Sequence, residues 1–273
     1  MVKTKKTTRR IIDICLIFLA VIWLVPMVFA LISSVKSRQE YNMGNFWDLP
    51  KGISLAENIE YIESSADIFG AMGSSLLYAA SGAVFSAVLA TLAAYAIAHL
   101  DIKHKMFWFL SIYCGTIFPF QIYLIPVYKG MSVLNLYDTR LGMILFYTAI
   151  SIPFSMFVLR NFFIGISRDV IESAKIDGAT DFKILLKILL PMAKAPLSVV
   201  LLSQFTWIWN ELMFGITFTK DTAIRPEMAA ISLMGRKNIP ALMLACIIAS
   251  IPTFVLYMTL QKNFEQGLAY QSK

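Results

Sequence analysis

A chain of 273 residues that is 58% hydrophobic and 15% charged lacks the polar surface that a soluble domain of this size needs, so it reads as an integral membrane protein. Its net charge of +7 would suggest nucleic acid in a soluble chain, but here the basic residues stand at the ends of apolar runs, where they anchor and orient helices. Cys15, Cys114 and Cys246 all fall within apolar runs, so neither a disulfide framework nor a metal cluster is expected.

The basic head MVKTKKTTRR precedes an apolar run from about Ile11 to Ser33. A secretory signal would have a shorter core and a small-residue cleavage site, whereas this run is membrane-length and contains Trp23 and Pro26. It reads as an uncleaved first span with its N-terminus in the cytoplasm. Ser34 to Asp67 is polar and is expected to form an outer loop with partial helical order. The second span, Ile68 to Leu100, is longer than a bilayer requires and should tilt or project. Its small residues, among them Gly70, Gly73, Ser74, Ser75, Ala79 and Gly82, allow close helix packing. Asp101 to Lys105 forms a short inner loop.

The third span, about Met106 to Tyr128, carries Pro119 and Pro126 with Gln121 between them. Each proline removes a backbone donor, which lipid tolerates mainly where protein or a cavity covers the freed carbonyls. The stretch reads as a kinked helix, either lining a path or held by packing alone. After an outer loop from Lys129 to Arg140, a fourth span from Leu141 to Leu159 returns the chain to the cytoplasm at Arg160.

The segment ESAKIDGATDFKILLKILLP, Glu172 to Pro191, is the least ambiguous in the chain. Asp169 can cap a short helix with Glu172 at its third position, a carboxylate variant of the capping box. Gly178 can take a left-handed conformation at the C-terminus of that helix, and Asp181 restarts a second helix that Pro191 stops. Ser173, Ala174, Gly178 and Ala179 keep the elbow thin enough for another protein's surface to approach its backbone.

In the fifth span, Ser203, Gln204, Thr206, Trp207, Asn210 and Glu211 are spaced to share one helix face, opposite Leu201, Leu202, Phe205, Ile208, Trp209 and Leu212. A polar stripe with an ionisable group belongs in the bundle interior or against water. Two roles are open for it: contacts to the hydroxyls of a passing solute, with Trp207 as a stacking face, or bonds to neighbouring helices. Thr219 to Asn238 forms the last outer loop, a sixth span runs from about Ile239 to Leu260, and LQKNFEQGLAYQSK ends inside. Of 24 Lys and Arg residues, 15 fall on the proposed cytoplasmic side, counting Lys3, Lys5 and Lys273, which agrees with six spans and both termini inside.

Glu172, Ala174, Asp177, Gly178, Ala179, Ile188, Leu190 and Pro191 have the spacing of the cytoplasmic loop of ABC importer permeases, and PFQIYLIPVY resembles a span of the carbohydrate-uptake type. The chain therefore resembles the permeases of maltose and multiple-sugar systems across nearly its whole length. The resemblance implies an all-α polytopic fold of six transmembrane helices, the ABC type I importer fold, with Glu172, Ser173, Ala174, Asp177, Gly178, Ala179 and Thr180 coupling to an ATPase. Ser173 stands where the family usually has alanine, Ser167 where it commonly has proline, and beyond Gly267 and Leu268 the tail departs from the family's glycine-rich ending. The last outer loop corresponds to one that in maltose-type systems reaches toward the cleft of the binding protein.

The implied partners are a second, unlike permease, two ATP-binding cassette subunits, an extracellular solute-binding protein and the lipid bilayer. No GxxxxGK[ST] phosphate loop occurs in the chain, so ATP and Mg would be bound by the partner subunits, and no catalytic residue, cofactor or metal is expected here. The expected organisation is residues 1–67 for the N-terminus, first span and outer loop, 68–262 for a five-helix core containing a coupling loop at 160–196, and 263–273 for a tail. Gln121, Ser203, Gln204, Thr206, Trp207, Asn210 and Glu211 are candidate translocation-path residues. Two other classes remain: an ion-coupled secondary carrier using Glu211, and a non-transporting sensor or scaffold that docks a signalling protein through the loop.

Overall fold

The structure, a computed structural model, describes residues 6–45 and 47–271, with side chains described for 8–45 and 47–261. Lys3, Lys5 and Lys273 of the charge argument lie outside the described residues, and of Gly267 and Leu268 only the backbone is described. The described residues contain helices and no strand.

The first helix, α1 (Lys6–Ser34), is followed by two helices in the expected outer loop, α2 (Arg38–Met43) and α3 (Leu55–Ala66). Then come α4 (Ile68–His99), α5 (Lys105–Tyr113) and α6 (Leu124–Val133). The fourth predicted span is α7 (Arg140–Ile164), and the elbow is α8 (Arg168–Ile176) joined to α9 (Asp181–Ile184). A π-turn, Leu185–Leu189, leads from α9 into α10 (Leu190–Met192) and the longer α11 (Lys194–Trp209). The chain finishes with α12 (Met213–Phe218), α13 (Glu227–Met234) and α14 (Ile239–Gln271). Among the described residues four helices are long and apolar enough to cross a membrane, or six if each of two bent pairs is one span.

Two expectations are corrected. The third span is not one kinked helix: α5 and α6 meet at 91°. Pro119 is extended at φ −55°, ψ 122°, and its missing N–H leaves short 3-10 turns at Cys114–Thr116 and Phe120–Tyr123 to carry the break. Pro191 does not stop its helix at once. A wide turn just before it is closed by Leu190 N–H to Leu185 O, and the helix breaks only at Ala193, with a 79° bend into α11. Helix α14 also runs past the sixth span, through the described part of the expected tail to Gln271.

The chain divides into two compact units, one comprising Met1–Ile68 with Leu233–Ser250 and the other Phe69–Ser232 with Ile251–Lys273. In the first, α1 carries apolar side chains all round, Trp23 being 78% exposed, as a lipid-facing helix requires. Its end is tied by buried Asn58 of α3, whose Nδ2 donates to Ser34 O at 3.0 Å and Lys36 O at 2.9 Å.

The second unit has two buried clusters. One gathers Ala90, Ala94, Phe109, Leu159, Phe163, Ile184 and Leu189 around the elbow end of α4 and α7. The other gathers Tyr78, Tyr147, Phe146, Ile208, Trp209, Phe214 and Phe218. Gly82 lets α4 approach both neighbours, since a Cβ there would lie 2.6 Å from Ile208 Cδ1 and 3.2 Å from Tyr147 Cβ. Gly142 is more constrained, because a Cβ would collide with the Leu136 carbonyl, which is backbone and cannot rotate away. Gly142→Ala is therefore expected to cost about 1–3 kcal/mol by overpacking, whereas Gly73→Ala, with nothing within 4 Å, should be neutral or slightly stabilising; thermal unfolding of both variants in detergent measures the difference.

Candidate functional site: an elbow and a polar patch

The elbow closes as the sequence suggests at its turn but not at its start. The cap of α8 is Ser167 rather than Asp169: its hydroxyl accepts the Asp169 N–H at 3.3 Å and donates to Asp169 Oδ2 at 3.0 Å. A hydroxyl two residues earlier can reach an unpaired first-turn N–H, and Asp169 then serves inside the first turn, where negative charge is favoured. At the other end Gly178 has φ +77°. Ala179 N–H reaches back to Ala174 O at 2.9 Å and Gly178 N–H to Lys175 O at 3.0 Å, the paired bonds of a Schellman turn. Thr180 caps the next helix, accepting Lys183 N–H at 3.4 Å.

Ile171 and Ala174 turn inward and join the cluster formed with Ile184, Leu185 and Leu189. Glu172, Ser173, Asp177, Gly178 and Thr180 are exposed, and Ala179 is half-buried. Beside them two large apolar side chains are unprotected: Ile176 is 86% exposed and Phe182 62%. The tip thus offers an apolar pair flanked by Glu172 and Asp177, with an open space above Gly178.

The stripe on the fifth span is broken. Helix α11 ends at Trp209, with Asn210 as its C-terminal cap, so the six residues do not share one helix face. Glu211 lies beyond the end and turns back. Its carboxylate accepts the N–H groups of Phe214 at 3.0 Å and Gly215 at 3.1 Å, at the start of α12, and the Tyr147 hydroxyl at 2.9 Å. A carboxylate at a helix N-terminus receives donors that otherwise have no partner. Gln204 is buried too, whereas Ser203, Thr206 and Trp207 are half-buried and Asn210 is exposed.

Gln121 is exposed in the break between α5 and α6. Its neighbour Phe120 meets the Trp207 ring edge-on at 6.3 Å, and Tyr147 meets the same ring at 6.3 Å. These aromatic contacts bring the Gln121 turn beside the α11 patch, leaving Gln121, Ser203, Thr206, Trp207 and Asn210 at least partly open while Gln204 and Glu211 are enclosed. Tyr147 carries no sign of this role in the sequence, because it lies in an unbroken apolar run 64 residues from its partner.

The loop from Thr219 to Asn238 is fastened in its first half. Tyr78 Oη donates to Ile224 O at 2.7 Å, Arg140 Nη2 to Ala223 O at 3.0 Å, and Lys220 and Asp221 N–H groups to Asp138 Oδ1 at 2.7 and 3.1 Å. Glu227, within this loop, is fully buried, and its N–H donates to Ser75 Oγ at 2.8 Å. Burial pushes its carboxyl up to about 8, and the Trp209 indole offsets this only in part.

The comparisons with known proteins agree with this architecture. Residues 2–270 match the family described as "Binding-protein-dependent transport system inner membrane component". The chain belongs to that family, the multi-pass inner-membrane subunits of binding-protein-dependent transporters. It is 28% identical to the osmoprotective compounds uptake permease protein GgtD of Synechocystis, over 97% of this chain and 92% of that one. It is 29% identical to the diacetylchitobiose uptake system permease protein NgcG of Streptomyces coelicolor, over 91% and 83%. The fold matches a chain in the crystal structure of a bacterial ABC transporter involved in alginate import with a TM-score of 0.79, covering 97% of this chain and 100% of that chain at 20% identity.

The native state holds a proton on Glu227 that the unfolded chain releases near its ordinary value of 4.5. The resulting stabilisation is complete below that value and is lost as pH rises toward about 8. The melting temperature should therefore fall between pH 5 and pH 8 more steeply in the native protein than in Glu227→Gln; parallel melting curves across that range check the difference.

Proposed function

We propose that this chain is the permease subunit of an ATP-driven importer that moves a sugar or oligosaccharide delivered by an extracellular binding protein. It pairs with a second, unlike permease and two ATPase subunits, which bind ATP and Mg. Both termini lie in the cytoplasm, the arrangement supported by the basic head and the inner loops. The sugar class is supported by what the relatives are named for: diacetylchitobiose in one case, alginate in the structural neighbour.

The observation that carries the coupling role is the tip of the elbow. Ile176 and Phe182 expose apolar surface on either side of a glycine turn whose backbone another protein can approach closely, and Glu172 and Asp177 supply charge beside it. Such a surface suits an apolar cleft with a basic rim on an ATPase subunit. The residues Glu172, Ser173, Ala174, Asp177, Gly178, Ala179 and Thr180 form or shape this contact. Closure of the ATPase pair would displace the elbow, and the bent pair α10 and α11 would carry the motion into the bundle, biasing it between two states.

The path reading is narrowed by geometry. Gln121, Ser203, Thr206, Trp207 and Asn210 combine amide, hydroxyl and aromatic groups suited to sugar hydroxyls and faces. Gln204 and Glu211 act behind them, Glu211 by holding α12 in place. That commitment also speaks against Glu211 as an ion-coupling carboxylate, because its oxygens already accept protein donors.

Two outcomes test these roles. Gly178→Trp should leave the spans inserted but uncouple ATP hydrolysis from uptake, since a bulky side chain would stand in the docking gap at a left-handed position. The assay co-purifies the chain with its ATPase subunits and scores a solute panel by ATPase stimulation and uptake; unchanged coupling rejects the docking role. In the same system Asn210→Ala should raise the apparent KM for the stimulating solute with little change in melting temperature, whereas Glu211→Ala should destabilise the fold by about 1–3 kcal/mol through lost charged hydrogen bonds.

A further inference from the structure

One carboxylate links both arms of the elbow to a membrane helix. Asp181, the first residue of α9, accepts a hydrogen bond on Oδ1 from the Tyr95 hydroxyl at 2.9 Å. The same oxygen pairs with Lys175 Nζ of α8 at 3.1 Å. Tyr95 is buried near the C-terminal end of α4, and its ring lies 5.7 Å from that of His99 one turn further on. The His99 ring is 6.4 Å from that of Phe163 on α7, so the contact chain continues from the elbow through α4 to α7.

The two bonds to Asp181 differ in mechanical value. The side chains of Lys175 and Asp181 are 48% and 46% exposed, so that pair is screened and contributes little. The Tyr95 side of the joint is enclosed by protein, and a hydrogen bond has a preferred distance and direction. The neighbouring contacts of Ile171, Ala174, Ile184 and Leu185 are apolar and non-directional. They hold the elbow against the bundle through packing alone. Among these contacts the Tyr95 to Asp181 bond is the one that fixes a direction along α4.

We propose that Asp181 is the joint through which the elbow moves α4, with Tyr95 as the positioning residue that receives the motion. The proposal rests on the docking role assigned above and adds a second route beside α10 and α11: α4 is driven as well, through this bond. Its test uses the complete transporter with its ATPase subunits, trapped with ADP and vanadate, so no transported solute need be known. Cys15, Cys114 and Cys246 are replaced by serine, and spin labels are placed through Gly73→Cys on α4 and Gly130→Cys on α6, both at positions with open space. Pulsed electron resonance then reads the change in label separation between nucleotide-free and trapped states.

Tyr95→Phe keeps the ring and removes only the hydroxyl, and Asp181→Asn keeps the size and removes the charge. Each is expected to reduce the trapping-induced change to less than half, with the same amount of nucleotide trapped per complex, and the double variant should be no worse than either single. Lys175→Ala should retain more than half. A full change in Tyr95→Phe, or a double variant that loses clearly more than both singles, overturns the joint. Trapped nucleotide with no change in the parent overturns the docking reading and the joint with it.

Discussion

The backbone at Gly178 turns left-handed, and the two bonds that close there, from Ala179 N–H to Ala174 O and from Gly178 N–H to Lys175 O, set the angle at which α9 leaves α8. That angle sends Ile171, Ala174, Ile184 and Leu185 into one buried cluster and leaves Ile176 and Phe182 outside it. Were the turn right-handed and helical, α8 and α9 would run on as one rod and the two sets could not separate in this way. The outward apolar pair and the Asp181 joint to Tyr95 both follow from that turn.

A second constraint shapes the rest of the second unit. A break in an apolar helix frees backbone groups that lipid cannot satisfy, so each break must be covered by protein. The 79° bend at Ala193 follows the π-turn before Pro191 and lies in a buried position. The 91° bend between α5 and α6 is backed by Pro153 of α7, whose Cγ lies 3.0 Å from where a Cβ on Gly115 would be. The end of α11 is covered by Glu211, which supplies acceptors to α12 and a link to Tyr147 of α7.

The two carboxylates in this region show how environment separates chemically similar groups. Glu211 accepts from two backbone N–H groups and a hydroxyl, which tie it to α12 and to Tyr147. Glu227 is enclosed among Ser75, Trp209 and the fastened loop, where burial favours the protonated form. The first secures a helix start. The second is buried at the seat of the loop from Thr219 to Asn238.

The sequence by itself determined the membrane class, the second, fourth and sixth spans, the left-handed Gly178 and the family, because these depend on local composition, length and a glycine whose φ no neighbour needs to dictate. It also placed Asp181 at a helix start, though nothing near it in the chain names Tyr95, 86 residues away, as its partner. Only the tertiary structure decided that α11 stops before Glu211, that the third span is two helices, that Ser167 rather than Asp169 caps α8, and that Glu227 is buried. A periodic pattern tells which residues would share a face if the helix continued; where the helix ends, and which distant side chain then takes up the freed donors, is settled by packing across the bundle.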